Sequence, residues 1–184
     1  MTTWASTPTC RGFDYFYGYW NAAQDYYKHG LPAALDLHEK FVTQTGEDGQ
    51  YSTNLYTEKA QAWVSKTVGA KKAPKSFVYM AYQAMHGPIE APDEYVNSAH
   101  CSKVTATNKR RIYCGMMAAL DEGIGNLTDT YKALGVWQDT LVVLGADNGG
   151  HVASSGNNAP LRGEKSVRLV QLLVLPLVLL QLIF

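Results

Sequence analysis

Apolar residues recur at steps of three and four through the second half of the chain. Ile112, Met116, Leu120, Ile124, Leu127, Tyr131 and Leu134 make one continuous stripe, which predicts a long amphipathic helix from Asn108 to Leu134. Gly135 follows at the position where helices turn out into the left-handed region. A shorter helix is predicted from Thr57 to Val68, with Ala60, Trp63, Val64 and Val68 on one face, ending at Lys71-Lys-Ala-Pro74. Two other runs read as strands: Ser76-Phe-Val-Tyr-Met-Ala-Tyr-Gln83 and Thr140-Leu-Val-Val-Leu-Gly-Ala146. A strand, a long crossover helix and a second strand form a βαβ unit, so the two strands are expected to be parallel. Up to about Gln50 the chain is loop-rich and aromatic with glycine breaks, and Pro88 to Val104 reads as a loop.

Both predicted strands stop at polar groups. The first leads to His86-Gly87-Pro88 and the second to Asp147-Asn148-Gly149-Gly150. Parallel strands would bring these ends to one sheet edge, where ligands bind in open α/β sheets. A carboxylate beside an amide oxygen suits a hard cation such as Ca²⁺ or Mg²⁺. Asn-Gly after an apolar run equally signals a hairpin turn, so the tetrapeptide alone leaves both readings open. Just beyond it, Arg162 and Lys165 stand on a Gly/Pro-shaped loop. A metal, an imidazole and a cation in one cleft describe a site for an anionic ester.

Eight segments then fall in a familiar order: Arg11-Gly-Phe-Asp-Tyr-Phe-Tyr-Gly-Tyr19, Asp25-Tyr-Tyr27, Tyr51-Ser-Thr-Asn54, Gln83-x-x-His86-x-Pro88, Tyr113-x-Gly-Met116, Asp121-Glu-Gly-Ile-Gly-Asn126, Asp147-Asn-Gly-Gly150 and Asn158-x-Pro-Leu-Arg-Gly-x-Lys165. Together they resemble the sulfatases, and among them the arylsulfatases of the B type (N-acetylgalactosamine-4-sulfatase), from about residue 8 to residue 166. The resemblance implies an α/β fold, part of an alkaline phosphatase-like sandwich, with a mixed, mostly parallel sheet and flanking helices. It implies hydrolysis of sulfuric esters by the parent enzyme, acting on a sulfated small molecule or a sulfated glycan. Asp147 and Asn148 match ligands of a divalent metal, usually Ca²⁺. His86 matches the histidine beside the leaving oxygen, and Lys165 matches a lysine that binds a sulfate oxygen. The chemistry is sound for these groups: a cation neutralises charge on the sulfuryl oxygens, and an imidazole can protonate the departing oxygen near neutral pH.

Departures qualify the resemblance. Sulfatases attack sulfur with a formylglycine made from the cysteine of a Cys-x-Pro-x-Arg motif. Cys10, Cys101 and Cys114 are each followed by other residues. The family's first metal-binding Asp-Asp pair and its Lys-x-His segment are absent too. The sequence therefore reads as the central part of a sulfatase domain over residues 1–166, inactive alone. Two other readings stay open: a non-catalytic sulfatase-like remnant, or a phosphodiesterase-type member of the same superfamily. After Ser166 the sequence changes to an almost uncharged Leu/Val run through Phe184, expected to be a non-family tail with an origin such as a shifted reading frame or an unspliced intron. Leu169 to Phe184 is slightly short for a membrane span, which takes roughly 17–25 residues, and Pro176 interrupts it. A membrane anchor ranks behind an aggregation-prone tail and a buried element.

Net charge is zero and charged residues make up 17% of the chain, which gives no sign of nucleic-acid binding. Lys109-Arg110-Arg111 reads as a solvated helix face. His29 and His38 read as surface residues of the loop-rich region, and Met116 and Met117 as core. Cys101 and Cys114 could pair, although Cys114 on a helix suits a free core thiol better. No signal-peptide pattern opens the sequence. Asn126-Leu127-Thr128 is a glycosylation sequon, meaningful if the parent enters the secretory pathway, as sulfatases usually do on the way to lysosomes or the exterior.

Overall fold

A computed structural model gives the fold, and it describes residues 3–31, 34–69, 75–160, 163–165 and 178–180. Two long helices dominate. Helix α1 runs Ser52–Thr67, α2 is a single turn at Asp93–Val96, and α3 runs Asn108–Ala133. The strands are short: β1 Tyr17–Gly18, β2 Gly30–Leu31, β3 Ala34–Leu35, β4 His38–Glu39, β5 Val42–Thr43, β6 Val142–Leu144 and β7 Val178–Leu180.

Helix α3 sits where the apolar stripe places it. The Thr107 hydroxyl caps it by accepting from Arg110 N at 3.0 Å. Gly135 ends it at φ +72, donating its N–H to Lys132 O. Its fully buried face, however, is a row of small residues with Met116: Gly115, Ala119 and Gly123. A Cβ on Gly115 would lie 2.9 Å from Val96 Cγ2, and one on Gly123 would lie 2.7 Å from Thr57 Oγ1. These glycines let α2 and α1 approach the α3 backbone closely. The larger residues of the stripe, from Ile112 to Leu134, are half-buried apart from Met116. Met117, about a quarter-turn away, points outward.

Helix α1 starts five residues before the expected Thr57. Ser52 fixes that start, since both its N–H and its hydroxyl donate to Tyr26 O, at 2.8 and 2.9 Å. Tyr26 in turn stacks on Tyr51 at 5.2 Å and joins Tyr95, Met116 and Ala119 in one core. A second core holds Leu37, Leu55 and Tyr56. The loop-rich N-terminal region thus contributes buried anchors. Its histidines are among them, contrary to the expected surface placement. His29 is 1% exposed and His38 is 8% exposed. Asp36 explains the second: it binds His38 Nε2 at 3.1 Å and also accepts from the N–H groups of Trp20 and Asn21. Burial pushes the Asp36 carboxyl up, but these donors outweigh it and hold the group below the ordinary carboxylate range.

The mixed α/β character stands, but the expected parallel pair is not observed. Every strand pair among the described residues is antiparallel, and β6 pairs with β7. Ser76–Gln83 forms no strand. It keeps the two-residue alternation of one, with Met80 and Tyr82 packed on the second core while Phe77 and Tyr79 face solvent. Backbone pairing to a neighbour is what it lacks, and β6 pairs instead with a segment of the Leu/Val-rich tail. Three residues of that tail therefore belong to a strand, and the rest lies outside the described residues. Within the expected Pro88–Val104 loop stand α2 and a 3-10 turn at Cys101–Lys103. Cys101 and Cys114 form a disulfide with Cα atoms 5.5 Å apart, tying that turn to α3 and leaving Cys10 free and exposed. Among the described residues no helix is long and apolar enough to cross a membrane.

Candidate functional site

His86 is exposed on a turn whose backbone is locked from behind. Its N–H donates to Gln83 O at 2.8 Å, and its carbonyl accepts from the buried Tyr26 hydroxyl at 2.9 Å. Gln83 is itself buried, its amide donating to Gln24 O. The imidazole Nδ1 lies 2.8 Å from Gly87 O. A carbonyl only accepts, so Nδ1 carries a proton and Nε2 is the nitrogen left to exchange one with a ligand.

A second unit follows β6. Asp147 is exposed, and Asn148 turns its Nδ2 to Gly149 O at 3.0 Å, which leaves its Oδ1 uncommitted by that bond. The loop is stapled by Asn158. Its Oδ1 accepts from Gly150 N at 2.8 Å, and its Nδ2 donates to Gly150 O at 3.0 Å and Gly163 O at 2.9 Å. Lys165 N also donates to Gly150 O, at 3.3 Å. This carbonyl ties the Lys165 backbone to the turn that follows Asp147 and Asn148. Glycine is required at the crossing, since a Cβ on Gly156 would fall 2.7 Å from Gly150 C. Arg162 lies outside the described residues.

The basic cluster is not a solvated face. Lys109 Nζ donates to Ala153 O at 2.7 Å, and Arg110 donates to Ser155 O. The N-terminal turn of α3 therefore anchors the loop that follows the Asp-Asn-Gly-Gly segment. The sequence reading assigned Asn158 no role, although it opens one of the eight segments. A buried-in-loop amide with both ends engaged had no signal beyond that position.

The Lys165 backbone is bonded to Gly150 O, two residues past Asn148. No hydrogen bond or ion pair joins His86 to Asp147, Asn148 or Lys165 among the described residues. Nor do those residues contain a cluster of three or more His, Cys, Asp or Glu able to hold a metal. Two side-chain oxygens fall well short of the roughly 6–8 that Ca²⁺ takes. The residues described do not by themselves fit a resident Ca²⁺.

Comparison with known proteins gives a consistent answer. The sulfatase family profile matches residues 2–175. Arylsulfatase J of Mus musculus is 37% identical over 165 residues, covering 86% of this chain and 26% of the relative. An arylsulfatase of Klebsiella aerogenes is 23% identical, covering 80% and 42%. N-acetylgalactosamine-6-sulfatase of Mus musculus is 25% identical, covering 87% and 28%. The chain thus spans well under half the length of these curated relatives. Among solved structures, that of Ps i-CgsB in complex with k-i-k-neocarrahexaose superposes with a TM-score of 0.77 at 30% identity, over 89% of this chain and 38% of that one. With the profile matching nearly the whole sequence, this chain belongs to the sulfatase family.

Proposed function

We propose that this chain carries the ester-gripping part of an arylsulfatase-type sulfuric ester hydrolase, of N-acetylgalactosamine-4-sulfatase-like character, acting on a sulfated glycan. The observation that supports the reading is that Gly150 O accepts from both Asn158 Nδ2 and Lys165 N, tying the Lys165 backbone to the turn after Asp147 and Asn148 within a sulfatase-family sequence. Lys165 binds a sulfate oxygen, and its charge offsets the charge gathering there as the S–O bond loosens. In its imidazolium form His86 keeps the Nδ1 proton on Gly87 O and delivers the Nε2 proton to the departing oxygen, leaving the neutral imidazole. Asp147 and Asn148 are a partial ligand set for the family's divalent cation, Ca²⁺. The nucleophile, a formylglycine in this family, has no precursor motif in the sequence. Turnover by this polypeptide alone is therefore not expected.

The glycan substrate draws on the relatives. One acts, by its name, on N-acetylgalactosamine 6-sulfate, and a structural neighbour is complexed with a carrageenan oligosaccharide. The Cys101–Cys114 disulfide suits an oxidising compartment, which favours a secretory parent, glycosylated at Asn126. The test is titration of N-acetylgalactosamine 4-sulfate into the chain, His86→Ala and Lys165→Ala. Both variants should bind about tenfold more weakly, as for one lost charge-assisted contact. Equal binding by all three proteins overturns the proposal. An aryl-sulfate assay with added Ca²⁺ should give no turnover, and a rate above that of His86→Ala would refute the inactivity.

A further inference from the structure

The His86 turn is packed at its flanks and open at its tip. Ala84, Met85 and Ile89 lie against the core of Tyr26, Tyr51, Tyr95 and Met116, while His86 and Pro88 are exposed. Gly87 is the loose point, since a Cβ built there would meet nothing within 4 Å. No side chain restrains its backbone, and glycine by itself leaves the flanking peptides free to rotate. That freedom matters because Gly87 O accepts from His86 Nδ1 at 2.8 Å, and this bond sets which imidazole nitrogen carries the proton.

Among the described residues, one hydrogen bond reaches this tip from outside the turn: the Tyr26 hydroxyl donates to His86 O at 2.9 Å. A peptide unit is planar, so fixing His86 O fixes the whole His86–Gly87 plane, from which Gly87 O is then directed. Tyr26 is firmly held for this task. Its side chain is fully buried and its ring stacks on Tyr51 at 5.2 Å. Its own carbonyl accepts from Ser52 N and the Ser52 hydroxyl at the start of α1. Burial pushes the Tyr26 hydroxyl up from its ordinary value, so it remains a donor throughout the range in which an imidazole titrates.

We propose that Tyr26 is a positioning residue for His86: its hydroxyl holds the imidazole in the Nδ1-protonated tautomer and leaves Nε2 for the ligand. The proposal rests on the functional reading above for what His86 does there. Tyr26→Phe in the full chain deletes only the hydroxyl, and a wild-type circular-dichroism spectrum establishes that the variant is folded. The first readout is the ¹⁵N spectrum of the neutral His86 ring at about pH 8, identified by its loss in His86→Ala. The ring should be protonated on Nδ1 in wild type and shift toward the Nε2-protonated form in Tyr26→Phe. The same tautomer in both proteins overturns the proposal, as does a wild-type ring protonated on Nε2. The second readout is affinity for N-acetylgalactosamine 4-sulfate. It should fall about two- to tenfold in Tyr26→Phe, the span of one neutral hydrogen bond, and stay unchanged when the same substitution is added to His86→Ala. An equal fall in both backgrounds means that the hydroxyl acts through the core alone and overturns the proposal. No fall in Tyr26→Phe where His86→Ala does weaken binding overturns it too. Should Tyr26→Phe not fold, the wild type decides: its Tyr26 hydroxyl proton should exchange slowly and give a cross-peak to the Gly87 amide, and a missing cross-peak refutes the idea. If Tyr26→Phe shifts the tautomer while His86→Ala binds the sulfated sugar as wild type does, the positioning role stands and the functional reading fails.

Discussion

The tyrosine-rich packing of α1, α2 and α3 and the loop cluster after β6 are held together in opposite ways. In the first, Tyr26, Tyr51, Tyr95 and Met116 are buried, and several polar side chains enter the interior with hydrogen-bond partners. His29 is typical. Its Nε2 donates to Glu47 O at 2.9 Å, and its Nδ1 is within reach of the Gln24 amide at 3.4 Å and the Ser52 hydroxyl at 3.3 Å. In the second, Leu141, Val143 and Leu144 are exposed, and order comes from Asn158 and close glycine contacts rather than from burial. The packed region therefore supplies the stability and also holds His86 by its backbone, while Asp147, Asn148 and Lys165 lie in the other.

That division can be broken by experiment. The largest effect should come from Met116→Ala, which empties a fully buried site and should cost about 2–5 kcal/mol in urea unfolding. A loss below 1 kcal/mol would mean that the α1–α3 packing does not hold the fold (roughly the cost of one lost methylene). Next comes Asn158→Ala. It leaves Gly150 N–H and two carbonyls without their partner, a loss of about 1–3 kcal/mol if it were felt globally. Because the loop is exposed, we expect amide exchange to accelerate at residues 149–151 while the core amides stay protected; a uniform rise across α1 and α3 would erase the distinction.

Acid should act on the packed region. Burial holds the His29 imidazole below its ordinary value, against the raising influence of Glu47. The unfolded chain therefore takes up a proton at a pH where folded His29 stays neutral. The contribution is complete above the unfolded value, about 6.5, and is lost as pH falls below it toward the folded value. Urea midpoints at pH 7.5 and 5.5 should differ less in His29→Gln than in wild type, and an unchanged difference would remove His29 as the cause. The smallest effect should be Asp147→Asn, within about 0.5 kcal/mol in stability because the side chain is exposed.

Legibility followed the range of the interactions. Helix α3 was read to within a residue or so, since its periodicity, its Thr107 cap and Gly135 are local. The eight segments carry the family for the same reason. What failed was non-local: the parallel partner of β6, the burial of His29 and His38, the disulfide, and the docking of Lys109 and Arg110 on the loop carbonyls. Each depends on what the rest of the fold presents to that residue, which periodicity does not encode.

By itself the sequence determined the long helix and the family, because these are set by spacing and side-chain chemistry. Only the tertiary structure decided that small residues, not the large apolar stripe, form the tightest face of α3. It alone tied the Lys165 backbone to Gly150 O, next to the Asp147-Asn148 turn. Distances between segments far apart in the chain are products of packing, and close packing is a property of the whole fold.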